Sequence, residues 1–223
     1  TVVGNVINNG SITLASSTER LKCVNYTNNA NALTTLSTNI GGDLELTGNF
    51  IDNAPFNSNN RAVFFTGSGV QDVTGSAPFD IDYIVSNKPS GSIRMLTNLL
   101  VEGPNGGNAI TLTNATDILD LNGNTLTLGE ANVASVFTGI GFIRGGSTSN
   151  ISIQGTGALG TIRFDQSVLG TSNILNNLTI NRTSGSVTIG NPLNINGVIT
   201  VTDGTLASGG NITLKSNANG TAQ

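Results

Sequence analysis

The stretch that decides the fold is NNLTINRTSGSVTIGNPLNINGVITVTDGTLASGGNITLK, residues 176–215. Its apolar residues come in alternating pairs, and each pair predicts one short strand with two side chains inward and one polar residue outward. The connections between the pairs are too short for helices. The pairs are Leu178/Ile180, Val187/Ile189, Leu193/Ile195, Ile199/Val201 and Ile212/Leu214, with Leu206 standing alone.

Every third strand begins a new round of the pattern. The repeat distances are 21, 19 and 19 residues, counted from Leu178 to Ile199, from Val187 to Leu206 and from Leu193 to Ile212. A chain that makes three strands and three corners before starting again winds a solenoid, whose coils bury their inward residues against one another. The predicted fold class is therefore all-β, a parallel β-helix (β-solenoid) with three short strands per coil of about 20 residues.

A second copy of the pattern lies 94 residues earlier, where SNKPSGS (Ser86–Ser92) matches INRTSGS (Ile180–Ser186). The apolar pairs beside these segments extend the match, and we expect matched pairs to be equivalent strands. Ile84, Ile93/Met95 and Leu99/Val101 correspond to Leu178, Val187/Ile189 and Leu193/Ile195. After the offset slips to 89 and then 86, Ile110/Leu112 and Leu126/Leu128 correspond to Ile199/Val201 and Ile212/Leu214.

No linker rich in Pro or charge interrupts the chain, so residues 1–223 are predicted to form a single β-solenoid segment. Neither end shows a polar cap and Thr1 is not a methionine, so we expect the segment to be part of a longer chain. Residues 27–39 lack strict alternation and are predicted to be a loop or a helical excursion around 30–36. The phenylalanines expected to stack between coils are Phe64, Phe65, Phe137, Phe142 and Phe164.

A different fold stays open at this point. An offset of 94 residues is close to the size of an immunoglobulin-like domain, so the chain could form two tandem sandwiches. Sandwich strands usually recur every 8–12 residues, whereas most strands here recur every 6 or 7, which favours the solenoid.

Composition argues against several classes of function. The net charge of −4 and the scattered basic residues offer no face for a nucleic-acid backbone. No apolar run is long enough to span a membrane. There is no His, and the single Cys23 is expected to be a small buried side chain rather than a nucleophile. Gly41-Gly42-Asp43 contains only part of a calcium-binding turn, so no metal or cofactor is predicted.

Three segments carry a resemblance to a known group: VFFTGSGVQDVTGS (63–76), NNLTINRTSGSVTI (176–189) and LDLNGNTLTLG (119–129). They resemble the repeat regions of large secreted or cell-surface proteins of Bacteroidota, many of them exported by type IX secretion and some of them adhesins. The resemblance implies an extracellular, structural or adhesive setting.

The strongest enzymatic candidate is the pair Asp80 and Asp82. Residues i and i+2 of a strand share a face about 6–7 Å apart, near the carboxylate separation of inverting glycosidases. Asp43 and Glu45 flank an apolar residue in the same way, so the pair also reads as two ordinary outward polar residues. We therefore predict no catalytic residues, and keep carbohydrate binding or cleavage as an alternative function.

Outward threonine pairs suggest one more alternative. Thr111/Thr113, Thr125/Thr127 and Thr200/Thr202 could order water for ice binding if they stacked on one flat side, although threonine is common on outward strand positions anyway. The first expectation remains a non-enzymatic stalk, filament subunit or adhesin shaft at the cell surface. Its partners would be copies or neighbouring segments stacked on the end coils, and possibly surface polysaccharide.

Overall fold

A computed structural model describes residues 4–76 and 79–215. These residues form 26 strands and no helix, and every strand pair is parallel. The strands stack as a β-solenoid of about nine turns with three strands per coil, which confirms the predicted fold class. Tandem sandwiches would be built from antiparallel pairs, so that alternative is wrong.

The strands are short and follow one another around the coil. In chain order they are β1 (Val6–Asn8), β2 (Ser11–Thr13), β3 (Leu21–Cys23), β4 (Tyr26–Asn28), β5 (Leu33–Thr35), β6 (Leu44–Leu46), β7 (Phe50–Asp52), β8 (Phe56–Asn57), β9 (Ala62–Phe65), β10 (Gln71–Gly75), β11 (Asp80–Ile81), β12 (Tyr83–Ser86) and β13 (Ile93–Met95). The remaining strands are β14 (Leu99–Val101), β15 (Asn108–Leu112), β16 (Ile118–Asp120), β17 (Thr125–Leu128), β18 (Val136–Gly139), β19 (Phe142–Arg144), β20 (Asn150–Thr156), β21 (Gly160–Ile162), β22 (Ile174–Leu175), β23 (Asn177–Ile189), β24 (Leu193–Ile195), β25 (Ile199–Ala207) and β26 (Ile212–Leu214).

The solenoid has three sides, which we number in the order the chain visits them. Side one stacks β1, β4, β7, β10, β13, β16 and β19, and continues as β22, β24 and β26. Side two stacks β2, β5 and β8, then β11, β14, β17, β20 and the first parts of β23 and β25. Side three stacks β3, β6, β9, β12, β15 and β18, followed by β21 and the later parts of β23 and β25.

The coil length is set at the corners. In the last coils the partners are those predicted, Leu178 with Ile199 among them, at a distance of 21 residues. Elsewhere the coils are longer, with 24 residues from Tyr26 to Phe50 and 27 from Leu99 to Leu126. The extra residues lie in the connections, where they bury little and leave the ladder in register. A repeat of about 20 residues therefore describes part of the chain.

The predicted equivalence of the two sequence copies is wrong. Ile84 lies on side three, whereas Leu178 lies on side two, one side short of four complete turns. All the other matched pairs are displaced by one side in the same direction. They are Met95 and Ile189 on sides one and three, Val101 and Ile195 on sides two and one, Leu112 and Val201 on sides three and two, and Leu128 and Leu214 on sides two and one. Inward positions demand the same residue types on every side, so strands from different sides look alike.

The segment predicted to be a loop or helix is an ordinary coil. Strands β4 and β5 stack in register on β1 and β2. The apolar alternation fails because the inward residues here are polar: Asn28 and Thr34 are fully buried. Asn8 Nδ2 donates to Asn28 Oδ1 at 2.9 Å and to Thr34 Oγ1 at 3.1 Å, so these buried groups are satisfied by one another.

The core runs along the axis and includes an aromatic stack near its N-terminal end. The rings of Tyr26 and Phe50 are 5.8 Å apart, and those of Phe50 and Phe79 are 6.1 Å apart, both stacked. Of the expected phenylalanines, Phe65, Phe137 and Phe164 are buried as predicted. Phe64 and Phe142 are only half-buried and face outward, which corrects that prediction. Cys23 is buried, as expected, and burial raises the pKa of its thiol to about 11.

One corner is held by a buried cation that the strand pattern does not reveal. Arg182, inside β23, has no exposed surface. Its guanidinium donates to three backbone carbonyls of earlier coils: Nε to Gly157 O and Nη1 to Gln154 O, both at 2.6 Å, and Nη2 to Ser135 O. Desolvation lowers the pKa of this group, and no carboxylate accepts from it. The side chain ties three successive coils together.

Candidate functional site

The carboxylates singled out from sequence lie on side two at β11. Asp80 and Asp82 are half-exposed and flank the fully buried Ile81, so both face outward as predicted. Asp82 Oδ2 accepts from the backbone N–H of Asn60 at 2.5 Å, and the Asp82 N–H donates to Ser58 Oγ at 3.3 Å. The backbone of the preceding coil therefore holds Asp82 in place.

Stacking brings a third carboxylate to the same place. Because Ile81 pairs with Val101, Glu102 lies beside Asp82 on the next coil. Desolvation, followed by repulsion from Glu130, Asp80 and Asp82, raises the pKa of Glu102 to about 7. Desolvation also raises the pKa of Asp80. The sequence search missed Glu102 because it compared neighbours along one strand, whereas this neighbour is one coil away.

A hollow of about 460 Å³ opens beside this acidic group. It is lined by the end of β7, the following corner and the start of β11, including Asp52, Phe56 and Asp80. Asp52 is nearly buried and continues the Asn8–Asn28 ladder, accepting from Asn28 Nδ2 at 2.8 Å. Burial, with a smaller contribution from Asp80, raises the pKa of Asp52 to about 6. Two protonatable carboxyl groups thus line one depression in the surface.

These acidic residues do not form a metal centre. Within residues 4–76 and 79–215, no group of three or more potential ligands is arranged to hold an ion. What the arrangement can offer chemically is hydrogen bonding: carboxyl groups that share protons near neutral pH can both donate to and accept from a hydroxylated ligand.

The threonine pairs predicted to stack divide between two sides. Thr125/Thr127 and Thr200/Thr202 lie on side two, whereas Thr111 lies on side three. On side two the hydroxyls are nevertheless in register through four coils. The column consists of Thr127, Ser152, Thr179 and Thr200.

Side one carries a ladder of alternating charge. Arg94 Nε donates to Asp72 Oδ1 at 2.8 Å, and Arg144 Nε donates to Asp165 Oδ2 at 2.7 Å with Asp120 on its other side at 3.5 Å. The register of β10, β13, β16 and β19 places these residues above one another. The cations are neutralised within the ladder, so side one presents no run of free positive charge.

The last coil differs from those before it in how much of its core is covered. Ile199, Leu206 and Ile212 point inward yet are only half-buried, while Val201 and Leu214 are each 44 % exposed. Among the described residues, β25 and β26 have a strand neighbour along one edge only. Unpaired strand edges beside uncovered apolar groups favour the addition of another strand layer.

No protein-family model, curated protein or solved structure matches the chain. In the described part of the chain there is no helix with the length and hydrophobicity needed to cross a bilayer. The fold and the surfaces above are therefore the observations from which function is inferred.

Proposed function

We propose that the protein is a structural or adhesive shaft segment of a bacterial surface protein, acting outside the cell. The observation that carries this proposal is the parallel ladder that runs from β1 to β26, ending in a coil with uncovered inward residues. Backbone hydrogen bonds along the axis resist extension, and outward polar residues keep the sides hydrated. No reaction is needed for this role, and we assign no catalytic residue.

The dimensions explain why stacking matters. About nine coils at a strand spacing of 4.7–4.9 Å give a rod of roughly 40 Å. A shaft of useful reach needs more coils, supplied by a further segment or a second copy. Contact between the last coil of one copy and the first coil of another is heterologous, so it can repeat without closing into a ring.

The end coil provides the test. Lys215 N donates to Ile195 O, and Leu193 N donates to Asn211 O. The alternation of a parallel ladder then directs the N–H of Leu214 toward the free edge. Leu214→Pro removes that donor without removing a hydrogen bond to β24. Leu214→Ala, the matched control, trims the side chain and keeps the donor.

We expect the wild-type protein to form axial assemblies, visible by electron microscopy and concentration-dependent in sedimentation velocity. Leu214→Pro should remain single while keeping the wild-type circular dichroism spectrum, and Leu214→Ala should still assemble, more weakly. A wild-type protein that stays monomeric at every concentration, or a proline variant that assembles normally, contradicts self-association through this end.

Carbohydrate binding is the second candidate, supported by the hollow between Asp52 and Asp80. Asp80→Asn/Asp82→Asn should abolish binding on a glycan array, together with any release of reducing ends from polysaccharide. Asp203→Asn, an exposed carboxylate on β25, is the control. Unchanged binding and cleavage in the double variant would remove these carboxylates from the function.

Ice binding stays a prediction. The hydroxyl column on side two supports it, while the position of Thr111 on side three does not. A thermal-hysteresis measurement with no signal would dismiss it.

A further inference from the structure

A buried lysine contacts a buried carboxamide at the corner between sides three and one. Lys88 is 1 % exposed and Gln71 has no exposed surface. Lys88 Nζ lies 2.5 Å from Gln71 Oε1 and donates to Gly67 O at 2.7 Å. Both acceptors are neutral, and no ion pair of Lys88 is found in the described residues. This is an uncommon setting for an ammonium group.

The nearest carboxylate is already engaged elsewhere. Asp117 Oδ1 accepts from the backbone N–H of Lys88 at 2.9 Å, and its Oδ2 accepts from the backbone N–H of Asn114 at 2.7 Å. Asp117 therefore fixes the Lys88 main chain rather than the Nζ atom. Desolvation lowers the pKa of Lys88 to about 8, with Asp117 opposing the shift, so a neutral amine is readily reached near neutral pH.

The carboxamide is held and polarised. Gln71 Oε1 accepts a second hydrogen bond from the backbone N–H of Gly67 at 2.9 Å, so two donors converge on the oxygen that becomes negative when Cδ is attacked. Gln71 Nε2 donates to Gly48 O at 2.5 Å and to Leu46 O at 3.2 Å, which fixes the orientation of the amide plane. Nucleophile, electrophile and oxyanion donors are therefore gathered in one dry corner.

We propose that Lys88 and Gln71 form an intramolecular isopeptide bond. The Nζ lone pair forms a bond to Gln71 Cδ, and the Cδ–Nε2 bond breaks. One Nζ proton passes to the departing nitrogen, which leaves as ammonia. The step needs no oxidant, reductant or water. It joins the first residue of β10 to the corner after β12, so nearly a whole coil is closed by a covalent link.

The bond would serve a molecule under tension, because a closed coil cannot be unwound past its cross-link. It rests on the Lys88 corner alone, and assembly through the last coil neither requires it nor follows from it. The two proposals can therefore fail separately.

Intact mass spectrometry of the denatured full chain provides the test. We expect the wild-type protein to be lighter than its sequence by one ammonia, about 17 Da, and fragmentation of a digest to yield one branched peptide containing Gln71 and Lys88. Lys88→Arg keeps a donor but not the nucleophile, so its mass should equal that of its sequence. Lys22→Arg changes an exposed lysine and should keep the mass loss.

Succinimides at Asn-Gly sites, such as Asn9-Gly10 and Asn122-Gly123, also lose ammonia. Hydroxylamine opens a succinimide and leaves an isopeptide bond intact, so the mass loss should survive that treatment. A wild-type protein of full sequence mass after incubation at pH 9, or a mass loss that hydroxylamine removes, overturns the proposal. Either result is read from the wild-type chain, whatever the folding of Lys88→Arg.

Discussion

The middle coils and the last coil use the same inward pattern with opposite results. Ile180 and Val201 are direct neighbours in one inward column of side two. Ile180 has no exposed surface, whereas Val201 is 44 % exposed. Ile180 lies between Ile153 and Val201, whereas Val201 has a described neighbour on one side only. A solenoid strand is therefore stabilised by its two neighbours more than by its own sequence.

The largest expected effect tests that difference directly. Ile180→Ala should lower the free energy of unfolding by about 2–5 kcal/mol, because it leaves a cavity between two coils. Val201→Ala, one coil further, should cost less than about 1 kcal/mol, because its side chain is already partly in water. Urea denaturation of both variants measures the contrast. Equal losses would show that the last coil is covered in solution.

The next effect concerns the corner of the middle coils. Arg182→Met keeps an apolar stem but leaves the carbonyls of Ser135, Gln154 and Gly157 without their donor, at a cost of about 1–3 kcal/mol. Arg163→Met removes a partly exposed arginine that donates to a single carbonyl, and should change stability by less than about 0.5 kcal/mol. If thermal unfolding shows both variants equally stable, the corner clamp contributes nothing beyond packing.

A pH effect should appear in the N-terminal coils and not in the last coil. Burial raises the pKa of Asp52 to about 6, against about 3.9 in an unfolded chain. Between these values the folded state holds a proton that the unfolded state has lost, so stability falls as pH rises through this window. Asp52→Asn should flatten the dependence of Tm on pH between 4 and 6, and should raise Tm at pH 7.

Glu102 acts in the same direction at higher pH, since the pKa of its carboxyl group is raised to about 7. Glu102→Gln is therefore the companion variant, and should flatten the Tm profile mainly between pH 5 and 7. A profile unchanged in both variants would mean that these carboxyl groups titrate normally in the folded protein.

The smallest effect belongs to the outward charges of side one. Arg144→Gln removes bonds to Asp165 and Asp120, and should cost less than about 1 kcal/mol because water and salt screen partly exposed pairs. The difference between variant and wild type should shrink further in 1 M NaCl. Urea titrations at low and high salt measure it, and a loss as large as that of Ile180→Ala would contradict the primary role given to core burial.

The candidate site shows where prediction from sequence stopped. The outward direction of Asp80 and Asp82 follows from the alternation around Ile81, and the structure confirms it. Glu102 and Asp52 join them only because coils of different length stack in register, and corner insertions conceal that register from a search for a fixed repeat. Lys88 and Gln71 are 17 positions apart, and nothing in the alternation of strands marks their contact.

The sequence alone determined the type of fold, because inward pairs joined by very short connections permit a winding parallel chain and little else. It also determined the pitch of the last coils, where the corners are shortest. Only the tertiary structure decided which strands share a side, because strands on all three sides obey the same inward rule. It also decided which polar residues turn inward: Asn28, Thr34, Lys88 and Arg182 are buried where partners on neighbouring coils can satisfy them, and those partners exist only once the coils have stacked.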